Sequence, residues 1–195
     1  MSETGQVVVL NGAPRSGKSS IAFEIQTTFE GTWMNLGVDV SRAMTPPSVQ
    51  PGIGLRPGEP SHPAAQVVPT LYAALWESIA AHSRLGLAVV VDVGLYDRGF
   101  AADATRRLDG LPVLFAGVHC PKEVVVERRQ IEPARYATDA VAALRWERAV
   151  HPGWSYDVEV DTSVLGPAEC AAVIRGRLER EPPPSAFFEL GTFLE

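Results

Sequence analysis

The chain has 195 residues, 46% of them hydrophobic, which is enough for one well-buried domain and too few for two ordinary ones. Its formal net charge of -6 argues against a nucleic-acid surface, because such a surface needs clustered lysine and arginine. The chain opens without the basic segment of a signal peptide, and no apolar run is long enough to span a bilayer. Cys120 and Cys170 lack zinc-finger spacing and are expected to be reduced thiols. We therefore expect one cytoplasmic domain, 1–195, that binds neither nucleic acid nor a membrane.

Short β-branched runs alternate with helical patterns along the chain. The predicted strands are 6–10, 87–91, 112–118 and 157–160. The predicted helices are 19–29, 71–85, 121–130, 138–150 and 167–180. This alternation is typical of the α/β class, with a parallel sheet flanked by helices and ligands bound at the carboxyl ends of the strands.

A glycine-rich segment, NGAPRSGKSS at positions 11–20, follows the first predicted strand. Its spacing fits G-x-x-x-x-G-K-[ST], in which the backbone bends so that N–H groups point at phosphate oxygens. Lys18 would reach the outer phosphates, and the Ser19 hydroxyl would be a magnesium ligand. The alternative is a glycine-rich turn with a surface lysine, but the preceding strand and the following amphipathic segment favour a phosphate-binding loop (P-loop). The predicted nucleotide-binding residues of the loop are Gly12, Ala13, Pro14, Arg15, Ser16, Gly17, Lys18, Ser19 and Ser20.

Two apolar runs end in aspartates that suit the chemistry of phosphate transfer. Asp92 follows Val89–Val91 and would complete a magnesium site with Ser19 if their strands are neighbours; a loop-capping role is the alternative, and Asp97 is a second candidate. Asp39 follows a short run at 36–38 and would orient an acceptor alcohol and finally take its proton. The alternative for Asp39 is a carboxylate that caps a helix starting at Val40.

Two stretches interrupt the alternation. Residues 45–63 contain six prolines and three glycines, which predicts a long loop that either lies beside the substrate or is a mobile insertion. Residues 181–195 combine three prolines with large apolar side chains. Such a tail is expected to pack either on its own domain or on a second copy in a homo-oligomer.

Arginines downstream supply the local basic site that an acidic chain needs in order to hold an anion. Arg128 and Arg129 end a predicted helix and Arg135 follows in a loop, an arrangement that suits stacking on a purine and forked contacts to phosphate. The alternative is ordinary helix charge paired with nearby glutamates. His151 lies near a helix end, where it could act as a C-terminal cap or take part in chemistry.

Five segments in this order carry a family resemblance: VVVLNGAPRSGKSS, LGVDVSRAM, GLAVVVDV, VHCP and HPGWSYDVEVDTS. Together they resemble the chloramphenicol phosphotransferase family, small-molecule kinases with a P-loop and the adenylate kinase or shikimate kinase fold. The resemblance implies ATP and Mg²⁺ as cofactors and phosphorylation of a hydroxyl on chloramphenicol or another antibiotic-like alcohol. It also implies that Asp39 is the catalytic base, Lys18 contacts the transferred phosphate, and Arg128 and Arg135 belong to a nucleotide-facing helix and a lid at 131–137.

Three other functions are weighed against this one. A nucleoside or sugar kinase of the same fold is the nearest alternative, and a nucleotide-binding protein without transfer activity is another. A GTPase-like switch is disfavoured, because the chain has no Asn-Lys-x-Asp guanine motif. Asp39 is the feature that a mere nucleotide-binding protein would not need.

Overall fold

A computed structural model of the chain describes residues 4–49, 66–131, 140–180, 183–184 and 186–191. Five parallel strands form one sheet in the order β2-β3-β1-β4-β5. The strands are β1 Val7–Asn11, β2 Trp33–Asn35, β3 Ala88–Val93, β4 Val113–His119 and β5 Val158–Asp161. The predicted α/β class with a parallel sheet is confirmed. All five strands end at the same edge of the sheet, which is the edge that the loop at 12–17 extends.

Helices cover both faces of the sheet. They are α1 Lys18–Thr28, α2 Val38–Ala43, α3 Val68–Arg84, α4 Arg98–Arg107, α5 Lys122–Ile131, α6 Ala140–Val150, α7 Pro167–Leu178 and α8 Ala186–Glu189. One buried cluster joins the sheet to α3, α4 and α8, and a second cluster joins its other face to α1 and α7. The central strand β1 contributes to both clusters, and each of its residues is buried. This burial explains why the strand consists of β-branched and aliphatic residues up to Asn11.

Several elements were missed by the sequence prediction. Strand β2 is only three residues long and lies at the edge of the described sheet, beside β3, so it lacks the apolar run that marks the other strands. Helix α4 buries small side chains, among them Ala101 and Ala104, so its sequence RGFAADATRR has little apolar periodicity. Short helices α2 and α8 were missed as well, because each has fewer than two full turns of pattern.

The C-terminal segment packs on its own domain through α8. Phe187 is fully buried, and its ring lies 6.3 Å from that of Trp76 and 5.6 Å from that of Phe115, measured between centroids. The backbone N–H of Ala186 donates to Asp157 Oδ1 at 3.1 Å, which fixes the start of the helix. Residues 192–195, which include Phe193 and Leu194 of the predicted tail, lie outside the described residues. In the part that is described, the tail completes the core.

Replacing Phe187 with alanine is expected to lower the free energy of unfolding by about 3–5 kcal/mol, because it leaves a cavity between α3 and β4. Urea denaturation followed by circular dichroism would measure this loss. Phe23→Ala is the matched control: the residue is 60% exposed, so the loss is expected to stay within about 0.5 kcal/mol. Equal losses in the two variants would mean that α8 contributes nothing to the core.

Cys120 and Cys170 are both free thiols, as predicted. Among the residues that the structure describes, no helix combines the length and the apolar character needed to cross a bilayer.

Candidate active site

The P-loop connects the end of β1 to the start of α1. Gly17 has φ 96°, in the left-handed region that glycine adopts without strain, and α1 begins at the next residue, Lys18. Arg15, with φ 69°, is the one non-glycine residue at positive φ among the described positions. These two residues turn the chain from the strand into the helix. The loop thus has the curved form that the sequence predicts for a phosphate cradle.

The side chain of Lys18 folds back onto the P-loop and binds its backbone. Its Nζ donates to the carbonyl oxygens of Gly12 at 2.8 Å and of Ala13 at 2.7 Å, and the residue is only 9% exposed. Burial lowers the pKa of Lys18 to about 8, while the negative charges of Asp92 and Asp39 act in the opposite direction. The ammonium group is therefore short of compensating charge, and a bound anion would supply it.

The structure brings Ser19 and Asp92 together, as the sequence predicts for a magnesium site. Asp92 lies on β3 directly beside Leu10 of β1, and Ser19 Oγ donates to Asp92 Oδ2 at 2.7 Å. A Cβ atom at Gly37 would lie 1.7 Å from Asp92 Oδ1, so glycine is needed there for the carboxylate to hold this position. Asp97 instead caps α4, where its Oδ1 accepts from Phe100 N at 3.0 Å. Asp92 is thus the carboxylate that stands beside the P-loop serine.

Asp39 lies in the first turn of α2, close to the same group of charges. The helix begins at Val38 with Gly37 as its N-cap, so Asp39 is the second residue of the helix. The suggestion that Asp39 caps a helix starting at Val40 is therefore wrong. Its side chain is 77% exposed and lies 3.5 Å from Arg42 Nη2. Burial lowers the pKa of Lys18, and the charge of Asp39 offsets a small part of that fall. An exposed carboxylate near Lys18 is free to meet a ligand.

Arg128 makes its hydrogen bonds to residues outside its own helix rather than to the glutamates within that helix. Its Nη2 donates to the carbonyl of Thr162 at 2.6 Å, and its Nη1 donates to Thr162 Oγ1 at 3.1 Å. Nη1 also lies 3.5 Å from the carbonyl of Arg15 and 3.5 Å from Cys120 Sγ. Arg128 thus connects α5 with the end of β5 and with the P-loop. The predicted residue Arg135 and positions 132–137 of the predicted lid lie outside the described residues, as do positions 50–63 of the predicted loop.

His151 belongs to a polar cluster that the sequence did not reveal. Its Nδ1 lies 2.8 Å from the hydroxyl of Tyr156, and its ring stacks on that of His119 with centroids 4.0 Å apart. Burial, followed by the nearby charges of His119 and Lys18, lowers the pKa of His151 to about 4, so the ring is neutral at physiological pH and can accept from Tyr156. His119 Nε2 in turn lies 2.6 Å from Glu159 Oε2.

Asn11 anchors this cluster to the last residue of β1. Its Nδ2 lies 3.0 Å from the Tyr156 hydroxyl oxygen and 3.2 Å from the carbonyl of Val150, and its Oδ1 accepts from Leu95 N at 2.6 Å. A fully buried amide that ends an otherwise apolar strand was the signal in VVVLN that could have identified Asn11. Its partners in the loop after β3 and at the end of α6 could not be found in the same way.

A cavity of about 580 Å³ opens between the ends of β4 and β5 and the end of α6. The P-loop contributes Ala13 to its wall, and the polar cluster contributes both histidines. The other lining residues are Val118, Cys120, Pro121, Glu147, Val150, Pro152, Trp154, Tyr156, Glu159 and Asp161. The cavity therefore lies beside the part of the P-loop whose carbonyl oxygens accept hydrogen bonds from Lys18. No group of three metal-ligating side chains occurs among the described residues, so a structural metal centre is not found there.

Comparisons with known proteins identify the family of the chain and the proteins that share its fold. The model of the chloramphenicol phosphotransferase-like protein family matches residues 5–179. A Mycobacterium tuberculosis protein named for a proposed O-phosphotransferase activity is 27% identical to the chain, over 95% of the chain and 88% of its own length.

Two solved structures illustrate the similarity of fold. The APS kinase of Mycobacterium tuberculosis in complex with AMPPNP and APS has a TM-score of 0.67 at 16% identity, over 91% of this chain and 99% of that chain. The tunicamycin resistance protein of Deinococcus radiodurans has a TM-score of 0.62 at 19% identity, over 93% of this chain and 99% of that chain. Fold and family together indicate a kinase-like phosphotransferase with a P-loop. Because the family model covers residues 5–179, the chain belongs to the chloramphenicol phosphotransferase-like family.

Proposed function

We propose that the protein transfers the γ-phosphate of ATP to a hydroxyl of a small molecule, with chloramphenicol or another antibiotic-like alcohol as the acceptor. The observation that carries the proposal is the meeting of three groups at one edge of the sheet. These are Lys18 in the P-loop, the Ser19–Asp92 pair, and the exposed carboxylate of Asp39. A protein that only binds a nucleotide needs the first two groups and has no use for the third.

The pair of Ser19 and Asp92 fits a Mg²⁺ ion. Both side chains offer oxygen atoms, 2.7 Å apart and on the exposed side of the loop, and Mg²⁺ in kinases is typically held by one or two such ligands together with phosphate oxygens. The ion supplies positive charge that neutralises the phosphates during transfer. The hydrogen bond between Ser19 and Asp92 holds these two oxygen atoms side by side.

Lys18 and Asp39 have separate roles in the proposed transfer. Lys18 contacts the outer phosphates and stabilises the charge that develops as the bond between the γ-phosphorus and the ADP oxygen breaks. Asp39 orients the acceptor hydroxyl, whose oxygen forms the new bond to phosphorus, and takes its proton. Because the transition state of phosphoryl transfer is loose, the proton can leave late, and a weak base suffices. The products are ADP and a phosphate ester of the acceptor.

The use of ATP and the two free thiols support a cytoplasmic location as part of the same proposal. The proposal also extends to Arg128 and Arg135 as residues that contact the nucleotide. Both assignments rest on the family resemblance, and for Arg128 the position at the junction of the P-loop and β5 supports it.

The test is a coupled assay of ADP release with a panel of hydroxylated antibiotics, nucleosides and sugars. We expect ADP release to need both Mg²⁺ and one class of alcohol, and the alcohol to gain the mass of one phosphate. If only nucleosides or only sugars of the panel support ADP release, the acceptor belongs to that class instead. ADP release that is the same with and without any alcohol would contradict the proposal.

The affinity for ADP is expected to fall as pH rises through the pKa of Lys18. In the free protein this pKa is lowered to about 8, and bound phosphate would raise it again, so that binding takes up a proton above pH 8. The dissociation constant should therefore increase by up to about tenfold per pH unit between about pH 8 and pH 10. Calorimetry across this range would measure it, with adenosine as the control ligand that carries no phosphate. An ADP affinity that does not change across the range would remove Lys18 from the phosphate site.

A further inference from the structure

Thr162 is the first residue after β5, and it joins the end of that strand to the P-loop. Its Oγ1 lies 2.7 Å from the carbonyl oxygen of Ser16, and its backbone N–H donates to the carbonyl of His119 at 3.0 Å. The side chain therefore bridges two segments separated by 146 residues. None of the roles proposed above for ATP, Mg²⁺ or the acceptor uses this contact.

Arg128 fixes the direction in which the Thr162 hydroxyl donates. A guanidinium group can only donate hydrogen bonds, so its 3.1 Å contact with Thr162 Oγ1 occupies a lone pair of that oxygen. The hydroxyl hydrogen is then directed to an acceptor, and the Ser16 carbonyl is the nearest one recorded. The second contact, from Arg128 Nη2 to the Thr162 carbonyl at 2.6 Å, holds the backbone of Thr162 in place.

The hydrogen bond to Ser16 also sets the orientation of the next N–H group. The Ser16–Gly17 peptide is planar and trans, so the Gly17 N–H points in the direction opposite to the Ser16 carbonyl. With this carbonyl held towards Thr162, the Gly17 N–H points away from Thr162. The peptide packs closely there, because a Cβ atom at Gly17 would lie 3.2 Å from Thr162 Cγ2. Rotation of the peptide plane would break the hydrogen bond.

We propose that Thr162 is a positioning residue for the phosphates of the bound nucleotide: its hydroxyl holds the Ser16–Gly17 peptide so that the Gly17 N–H is directed at a phosphate oxygen. Arg128 supports this arrangement from helix α5. The inference rests on the proposed function, because it requires phosphates to bind in the P-loop. It adds a residue outside the P-loop sequence to the machinery that shapes the loop.

The test compares Thr162→Val, which keeps the shape but loses the hydroxyl, with Thr162→Ser, which keeps the hydroxyl. Thr162→Val is expected to weaken ADP binding by about tenfold, the effect of one lost and misdirected hydrogen bond. The affinity of Thr162→Ser should stay within about twofold of the wild type, and adenosine should bind all variants alike. Ser163→Ala is the matched control, because that neighbouring exposed hydroxyl donates to Asp161 and not to the P-loop.

The outcomes separate this inference from the proposed function. A wild-type protein that binds no ADP would contradict the proposed function. ADP affinity of Thr162→Val within twofold of the wild type, or an equal loss for ADP and adenosine, would overturn the inference alone. If Thr162→Val does not fold, Thr162→Ala compared with Thr162→Ser decides the same question, since only the serine variant can hold the Ser16 carbonyl.

Discussion

Replacing Lys18 with alanine is expected to lower the rate of phosphoryl transfer by about 100- to 1,000-fold. The ammonium group lies 2.8 Å from the carbonyl oxygen of Gly12 and 2.7 Å from that of Ala13, inside the P-loop. Its loss removes charge that acts on the phosphates as the transition state forms, so turnover should fall with a saturating acceptor and saturating ATP. A coupled ADP assay measures this rate.

The control for this variant is Lys122→Ala, which removes an exposed lysine that forms an ion pair with its neighbour Glu123. Its turnover should match that of the wild type. A thermal melt is needed for Lys18→Ala, because Lys18 also ties the two loop carbonyls together. Near-native turnover of a folded Lys18→Ala variant would mean that the loop does not hold the transferred phosphate.

Replacing Asp39 with asparagine is expected to lower turnover by about 100- to 10,000-fold, the range of general-base contributions. Asparagine keeps the shape and one acceptor oxygen of the side chain but cannot take the proton from the alcohol. The affinity for ATP should change little, since Asp39 lies on α2 and is 77% exposed rather than part of the P-loop. The variant therefore separates catalysis from nucleotide binding, with calorimetry for ATP and the ADP assay for turnover.

Asp109→Asn is the matched control for Asp39→Asn. Asp109 is an exposed aspartate in the turn between α4 and β4, at the opposite edge of the sheet. It should have no effect on either measurement. Turnover of Asp39→Asn within a few-fold of the wild type would mean that Asp39 is not the general base and that water or Asp92 accepts the proton. Asp39 would then no longer distinguish the protein from one that only binds a nucleotide.

The sequence predicted the parts of the fold that have a local pattern. The strand that becomes β1 and the glycine-rich segment after it are both continuous in sequence, so their geometry follows from nearby residues. The pairing of Ser19 with Asp92 was predictable on one condition, namely that their strands are neighbours, and β1 and β3 do pair. The parallel sheet supplies this condition, because it brings the ends of its strands to one edge.

The interactions that hold the site together could not be predicted in this way. Asn11 contacts Leu95 across 84 residues, and Thr162 contacts Ser16 across 146 residues. Both contacts join a side chain to a backbone group. Every residue has the same backbone groups, so the residue types do not show which of them will be the partner. His151 was noticed only for its place near a helix end, whereas its stacking on His119 depends on the fold bringing the residue after α6 beside the last residue of β4. Long-range side-chain contacts of this kind require the folded chain.

The central claim is that the γ-phosphate of ATP ends on an alcohol. The most direct test uses ATP that is radiolabelled at the γ-phosphate, with the acceptor found in the panel and the wild-type protein beside Asp39→Asn. The account predicts that the label appears in a phosphate ester of the acceptor, that its amount equals the ADP formed, and that Asp39→Asn loses most of it. Label that appears only as inorganic phosphate, with or without the alcohol, would contradict the account.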